Sequence, residues 1–181
     1  MTDARLFEAF VRRYQDMVFA TAIRLLGSRA EAEDVSQTVF LRAYQRFDEI
    51  GGSPAAAGWL KTVARNACLN HLARYRTRWR FFSELAQPDD EEADAGFAAR
   101  LASSGSPVSA MEEAERHHQL ERALRRLPDH QRVPLVLFHF EDMGYQEIAD
   151  VLRVSLGKVK TDIHRGREAL KTLLSDDHER R

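Results

Sequence analysis

Between residues 83 and 110 the chain has almost nothing to bury. The stretch SELAQPDDEEADAGFAARLASSGSPVSA is rich in acidic and small residues and poor in large apolar ones. Such a segment cannot offset the entropy of its own ordering and reads as a flexible linker. Folding must therefore occur on either side of it, in two small domains over 1–82 and 111–181, each with its own modest core. Charge follows the same division. Residues 1–80 carry 13 Lys/Arg against 8 Asp/Glu, residues 81–115 carry 1 against 9, and residues 116–181 carry 13 against 11. The net charge of −1 thus conceals two basic arms around an acidic tether. Two polyanion-facing modules joined by a repelling linker have that pattern, as does a solvated acidic loop between two ordinary helical domains.

Both arms read as helix throughout, and no strand-like alternation appears, so the expected fold class is all-α. In RLFEAFVRRYQDMVFATAIRLLGS, apolar residues recur at helical spacing through Leu6, Phe10, Tyr14, Val18, Ile23 and Leu26. Gly27 ends that helix, and Ser28 with Glu31 makes a capping box for the next. The second helix turns Ala32, Val35, Val39 and Tyr44 toward a core and stops before the loop DEIGGSPAAAG. A third begins near Trp59. Beyond the linker, helix resumes near Met111. A strongly apolar helix follows over HQRVPLVLFHFEDM, with Pro134 in about its first turn.

Several function classes fall away. The polar, acidic start MTDARLFEAF has no signal-peptide character, and no apolar run approaches the roughly 18 residues that span a bilayer. We therefore expect a cytoplasmic protein without membrane insertion. Cys68 is the single cysteine, which excludes an intramolecular disulfide and a cysteine-based metal cluster. His117, His118, His130, His139 and His164 lack the spacing of a metal site. With no Gly-rich phosphate loop or nucleophile elbow either, no metal, cofactor or catalytic set is expected, and the chain is read as a non-enzyme.

The segment GYQEIADVLRVSLGKVKTDIHRGR has a short helix, a break at Arg153-Val154-Ser155, and a longer helix. On a helical wheel, Val159, Ile163, Gly166 and Leu170 form the buried stripe. Thr161, His164, Arg165 and Glu168 fall opposite, with Lys158 beside them and Lys160 and Asp162 on the flanks. Ala149 is small where the two helices must close, and Val154 plugs the space between. An apolar back and a cationic, hydrogen-bonding front suit a helix-turn-helix in a major groove. An ordinary αα-hairpin with a solvated basic face is the alternative.

Other chemistry sits in the first arm. Thr62, Asn66 and Asn70 make an uncharged polar stripe, accompanied by Lys61, Arg65, Arg74 and Arg76. RYRTRWRFF then interleaves cations with rings. Amides read base edges, cations hold phosphates, and rings stack on unpaired bases at about 1–3 kcal/mol each.

YQEIADVLRVSLGKVKTDIHRGREAL resembles the −35-reading region of bacterial RNA polymerase sigma factors, of the compact extracytoplasmic-function (ECF) group. SRAEAEDVSQTVFLRAYQRF is similar to the family's core-docking region, and GWLKTVARNACLNHLARYRTR to its −10-reading region. The resemblance covers roughly 5–79 and 111–174. It implies that Asp34, Gln37, Thr38, Phe40 and Leu41 dock on the β′ clamp of core polymerase, with the β subunit as a further contact. It implies that Lys61, Thr62, Arg65, Asn66, Asn70, Arg74 and Arg76 hold −10 DNA, with the loop DEIGGSPAAAG forming part of that pocket. Lys158, Lys160, Thr161, His164, Arg165 and Arg167 would then hold −35 DNA. Family members are commonly held inactive by an anti-sigma factor, so such a partner is an expectation here.

The chain departs from the family pattern in places. Thr38 stands for the usual Glu and Ser36 for an aliphatic, which we read as neutral variation. Lys158 stands for the usual Thr, and Asp162 for an Arg or similar residue. Asp162 would repel phosphate unless it pairs with Lys158, four residues earlier, or accepts from a cytosine amino group. Arg153 replaces the turn glycine and must take a left-handed conformation at about 1 kcal/mol. A stand-alone helix-turn-helix regulator is the alternative function, although no heptad seam for a dimer is present.

Overall fold

Gly27 divides the first arm where the sequence predicts. The computed structural model describes residues 4–75 and 110–179, and all the regular structure among these is helical. Helix α1 (Ala4–Leu26) ends as Gly27 adopts φ 69° and donates to the Ile23 carbonyl at 2.9 Å. Ser28 then caps α2 (Arg29–Gln45), its Oγ accepting from the Glu31 N–H at 3.5 Å. A short α3 (Phe47–Ile50) follows, and α4 (Ala56–Tyr75) completes the first unit. The loop before α4 is thus shorter than expected, because residues 48–50 are helical and α4 starts three residues before Trp59.

α1, α2 and α4 pack pairwise into a three-helix bundle. Val18, Leu25, Leu26, Val39, Leu60 and Leu72 are enclosed, while Ala22, Ala32, Ala43 and Ala64 let the backbones approach. Fully burying such a leucine or valine contributes about 1.5–3 kcal/mol. Two expected core residues lie elsewhere. Leu6 is 62% exposed, one turn before the first buried ring, Phe10. Tyr44 is 49% exposed because Ala43, four residues after Val39, takes the inward position. The Tyr44 ring instead meets Phe7 edge-on at 4.9 Å, in a cluster with Phe10 and Phe47 that ties α1 to α3.

The second unit comprises α5 (Ala110–Arg126), α6 (Asp129–His139), α7 (Tyr145–Leu152) and α8 (Leu156–Glu179). α8 packs on α6, α7 and α5. Every residue from Arg132 to Leu137 is buried, as an all-round apolar helix requires at the centre of a small domain. Pro134 sits one turn deeper than expected, since Pro128 already serves as the N-cap of α6. The helix also stops four residues earlier than expected. Asp142 takes φ 54°, and Met143 folds back to donate to the Leu137 carbonyl at 3.1 Å. No helix among the described residues is long and apolar enough to cross a membrane.

Candidate functional site

α2 presents Asp34, Gln37, Thr38 and Leu41 outward, with Phe40 half-buried beside them. Leu41 is 65% exposed, an uncovered apolar side chain on an otherwise polar helix. Gln37, Phe40 and Leu41 border a groove of about 730 Å³ against α1, floored by Phe7, Val11 and Phe19. Asp34 and Thr38 border a second groove, of about 920 Å³, against α4. The Ser36 and Thr38 hydroxyls donate back to the Ala32 and Asp34 carbonyls, at 2.7 and 3.1 Å, so both engage their own helix.

On α4, Thr62, Asn66, Asn70 and Arg74 are exposed, while Lys61 and Arg65 are half-buried. The expected uncharged stripe is therefore one open face. Arg65 Nε is enclosed with no hydrogen-bond partner among the described residues. Arg76, Trp79 and the rest of RYRTRWRFF beyond Tyr75 lie outside the described residues. Trp59 is half-buried, with the Arg46 guanidinium 5.8 Å over its ring.

Asn70 and Arg74 share the larger groove with Asp34, Thr38 and Arg42. His71 Nε2 spans it to Glu31 Oε1 at 3.0 Å. Two sets of residues that the sequence assigns to different partners thus meet across one channel. Spacing gives no sign of this, because the two walls lie some 36 positions apart on separate helices.

In the second unit, α7 and α8 make a helix-turn-helix. Arg153 adopts the expected left-handed conformation, φ 56° and ψ 46°, at the end of α7. Val154 donates to the Ala149 carbonyl at 3.1 Å, and Ala149 is buried where the helices close. Ser155 Oγ accepts the Lys158 N–H at 3.2 Å and caps α8, a role the sequence reading did not assign. Val159, Ile163, Gly166 and Leu170 form the inward stripe. A Cβ on Gly166 would stand 3.2 Å from the Gln131 carbonyl oxygen, so that close approach of α6 and α8 favours glycine.

The front of α8 is narrower than the wheel implies. Lys160, His164 and Arg165 are exposed, but Lys158, Thr161 and Arg167 are not. Azimuth alone takes no account of side-chain length. Thr161 is short and lies between Lys158 and Arg165, three residues before and four after it on the same face. Lys158 is ion-paired with Asp162, and both side chains are under a tenth exposed. Arg167 turns inward. Its guanidinium lies 5.6 Å from the Phe138 ring centroid, and its Nε donates to His139 Nε2 at 3.2 Å. A planar guanidinium stacks on a ring at little cost, which explains why this cation packs inside.

Electrostatics follow burial. Desolvation, with the Arg167 charge second, lowers His139 to about 4, so its ring is a neutral acceptor for Arg167. Burial also lowers His130, the larger effect there, while Asp162 beside it pulls the other way. Burial raises Asp162 in spite of the Lys158 pair. Among the described residues, no group of three or more His, Cys, Asp or Glu is placed to hold a metal ion.

Two family models match the chain. Residues 10–79 match the family model for sigma-70 region 2, and residues 117–170 that for sigma-70, region 4. Over 174 residues the chain is 30% identical to the ECF RNA polymerase sigma factor SigW of Bacillus subtilis, spanning 96% of this chain and 91% of that protein. It is 32% identical over 168 residues to the RNA polymerase sigma-H factor of Pseudomonas aeruginosa, spanning 93% and 86%. A solved structure of the sigma factor RpoE with the anti-sigma factor NepR, from Bartonella quintana, aligns over 93% of this chain and 96% of that chain at a TM-score of 0.47 and 21% identity. With both regions matched in order and the sequence relationship running nearly end to end, the chain belongs to the extracytoplasmic-function family of RNA polymerase sigma factors.

Proposed function

We propose that this sigma factor divides promoter recognition between its two units, over 1–82 and 111–181, with 83–110 as tether. Like its family it is no enzyme: it binds core RNA polymerase and directs initiation at promoters, and polymerase performs the chemistry. It works where polymerase works, in the cytoplasm.

In the first unit, Asp34, Gln37, Thr38, Phe40 and Leu41 dock on the β′ clamp. An exposed leucine beside a half-buried phenylalanine, ringed by a carboxylate and an amide, has the make-up of a protein–protein hot spot. Thr62, Asn66, Asn70 and Arg74 face the −10 strand, with Lys61 and Arg65 at the border. Uncharged amides on an open face suit an unpaired base better than a phosphate row. In the second unit, Lys160, His164 and Arg165 form the DNA-facing front of α8. Arg167 acts from within as a support. The observation that carries this reading is the outward polar stripe on α4 together with the outward Lys160, His164 and Arg165 after a left-handed turn.

The test is co-elution with bacterial core polymerase, then initiation from a promoter library by the complex. Initiation from a two-element promoter supports the reading; duplex binding by the chain alone, without polymerase, favours a stand-alone regulator instead. Within the complex, Asn66→Ala is expected to cost about 1–3 kcal/mol of discrimination at a −10 position. Arg165→Ala, which removes an exposed phosphate-facing cation, should flatten the log affinity against log salt plot by about 0.9 at every sequence. Equal losses on matched and scrambled −10 elements would refute the Asn66 assignment.

A further inference from the structure

We infer that Asp162 is a positioning residue that withholds Lys158 from DNA, so that α8 engages its promoter without this cation. The inference rests on the reading of α8 as the −35 recognition helix and adds a determinant of specificity to it.

Lys158 lies three residues past the Ser155 cap, at the end of α8 where a cation most easily reaches a phosphate. Yet its ammonium is bonded to Asp162 Oδ2, one turn on, and the side chains are 8% and 6% exposed. Asp162 Oδ1 is buried without a hydrogen-bond partner among the described residues. The carboxylate therefore depends on Lys158. Were Lys158 to swing out to a phosphate, Asp162 would remain enclosed with neither oxygen bonded. That penalty exceeds the return from one solvent-exposed lysine–phosphate contact. The other charged or titratable groups that act on Asp162 are His130 of α6 and Arg165 of α8. Arg165 is exposed, and His130 makes no hydrogen bond to Asp162, so neither stands in for the ammonium.

The consequence is selectivity. Each lysine on phosphate strengthens binding to every sequence alike, through counterion release, and adds about 0.9 to the salt slope. A lysine held on its own helix adds nothing to non-specific binding. Discrimination at the −35 element then rests on Lys160 and His164, with the exposed Arg165 supplying the phosphate contact. The two departures from the family pattern, at 158 and 162, act as one unit: the added cation is neutralised by the added carboxylate.

The experiment uses the complex with core polymerase, measuring affinity for a promoter fragment and for one with a scrambled −35 element, over roughly 50–200 mM salt. Asp162→Asn is expected to steepen the salt slope by about 0.9 on both fragments and to narrow the ratio between them. Lys158→Gln alone should leave the slope unchanged, and the double variant should restore it. This cycle separates release of Lys158 from the simple loss of a negative charge, which would persist in the double variant. A slope that flattens in Lys158→Gln alone, or that stays steep in the double variant, overturns the inference.

Lysine-selective acylation of the unaltered complex, read by mass spectrometry, needs no variant to fold. Lys160 should react and be protected by promoter DNA, while Lys158 reacts slowly with or without it. Protection of both lysines by DNA overturns the inference alone. Protection of neither, with no preference for the intact −35 element, overturns the −35 reading and the inference together.

Discussion

Arg132→Ala should unfold the second unit under conditions where the native chain is stable. Arg132 is 3% exposed, its Nη1 donating to the Leu127 carbonyl at 2.7 Å and its Nη2 pairing with Asp129. It joins the end of α5 to the start of α6 across the Pro128 corner, where both helices have backbone groups without intrahelical partners. Truncation removes two charge-assisted bonds and the packed stem, and leaves the Leu127 carbonyl without this donor. We expect a loss of about 3 kcal/mol. A unit of about 70 residues has only roughly 4–10 kcal/mol in all. Arg132→Lys should recover little of it, since an ammonium lacks the fork that reaches both partners. Chemical denaturation gives the magnitude, and hydrogen exchange read by peptide gives the place. Exchange should rise across α5–α8, with −35 binding lost and core docking through α2 kept. A loss below about 1 kcal/mol would mean that the corner is held by other contacts.

The places where the chain changes direction were legible because single residues carry them. Gly27, Ser28 and Arg153 each impose a local geometry, and that geometry is found. The central α6 was legible too, since a run apolar on all sides has only the interior to occupy. Polar residues that fold inward were not. Residue type alone would send Arg132, Thr161, Asp162 and Arg167 to the surface, whereas each is under a tenth exposed. Their burial depends on a partner that sequence spacing does not name: a carbonyl at a helix end for Arg132, a ring on α6 for Arg167. Only the Lys158–Asp162 pair, four apart on one helix, could be anticipated, and it was, though not its enclosure. The channel joining Asp34 to Asn70 depends on how α2 and α4 pack, and is a tertiary fact alone.

Acid should loosen the seat of α8 through His139. In the folded unit this ring stays neutral down to about pH 4, against an ordinary value of 6.5. Above 6.5 neither the folded nor the unfolded state carries the proton, and the contribution of the site to stability is intact. Between 6.5 and about 4 the unfolded chain binds a proton that the folded one refuses, so stability falls as pH falls. Below about 4 both states are protonated and the loss is complete. The shift sets an upper bound of about 3 kcal/mol, and screening at a half-buried ring reduces it to about 2. His130, also lowered, acts in the same direction; Asp162, raised by burial, acts in the opposite one at the acid end. The comparison that isolates His139 is therefore with His139→Gln, whose amide oxygen still accepts from Arg167 but does not titrate. Urea unfolding at about pH 7 and about pH 4.5 should show the variant losing about 1.5 kcal/mol less than the native chain between them. Parallel pH curves would show that the ring meets no cost on charging. Because Arg167 is held by the same ring, acid should weaken −35 binding in the native complex before it weakens docking on polymerase, and less so in the variant.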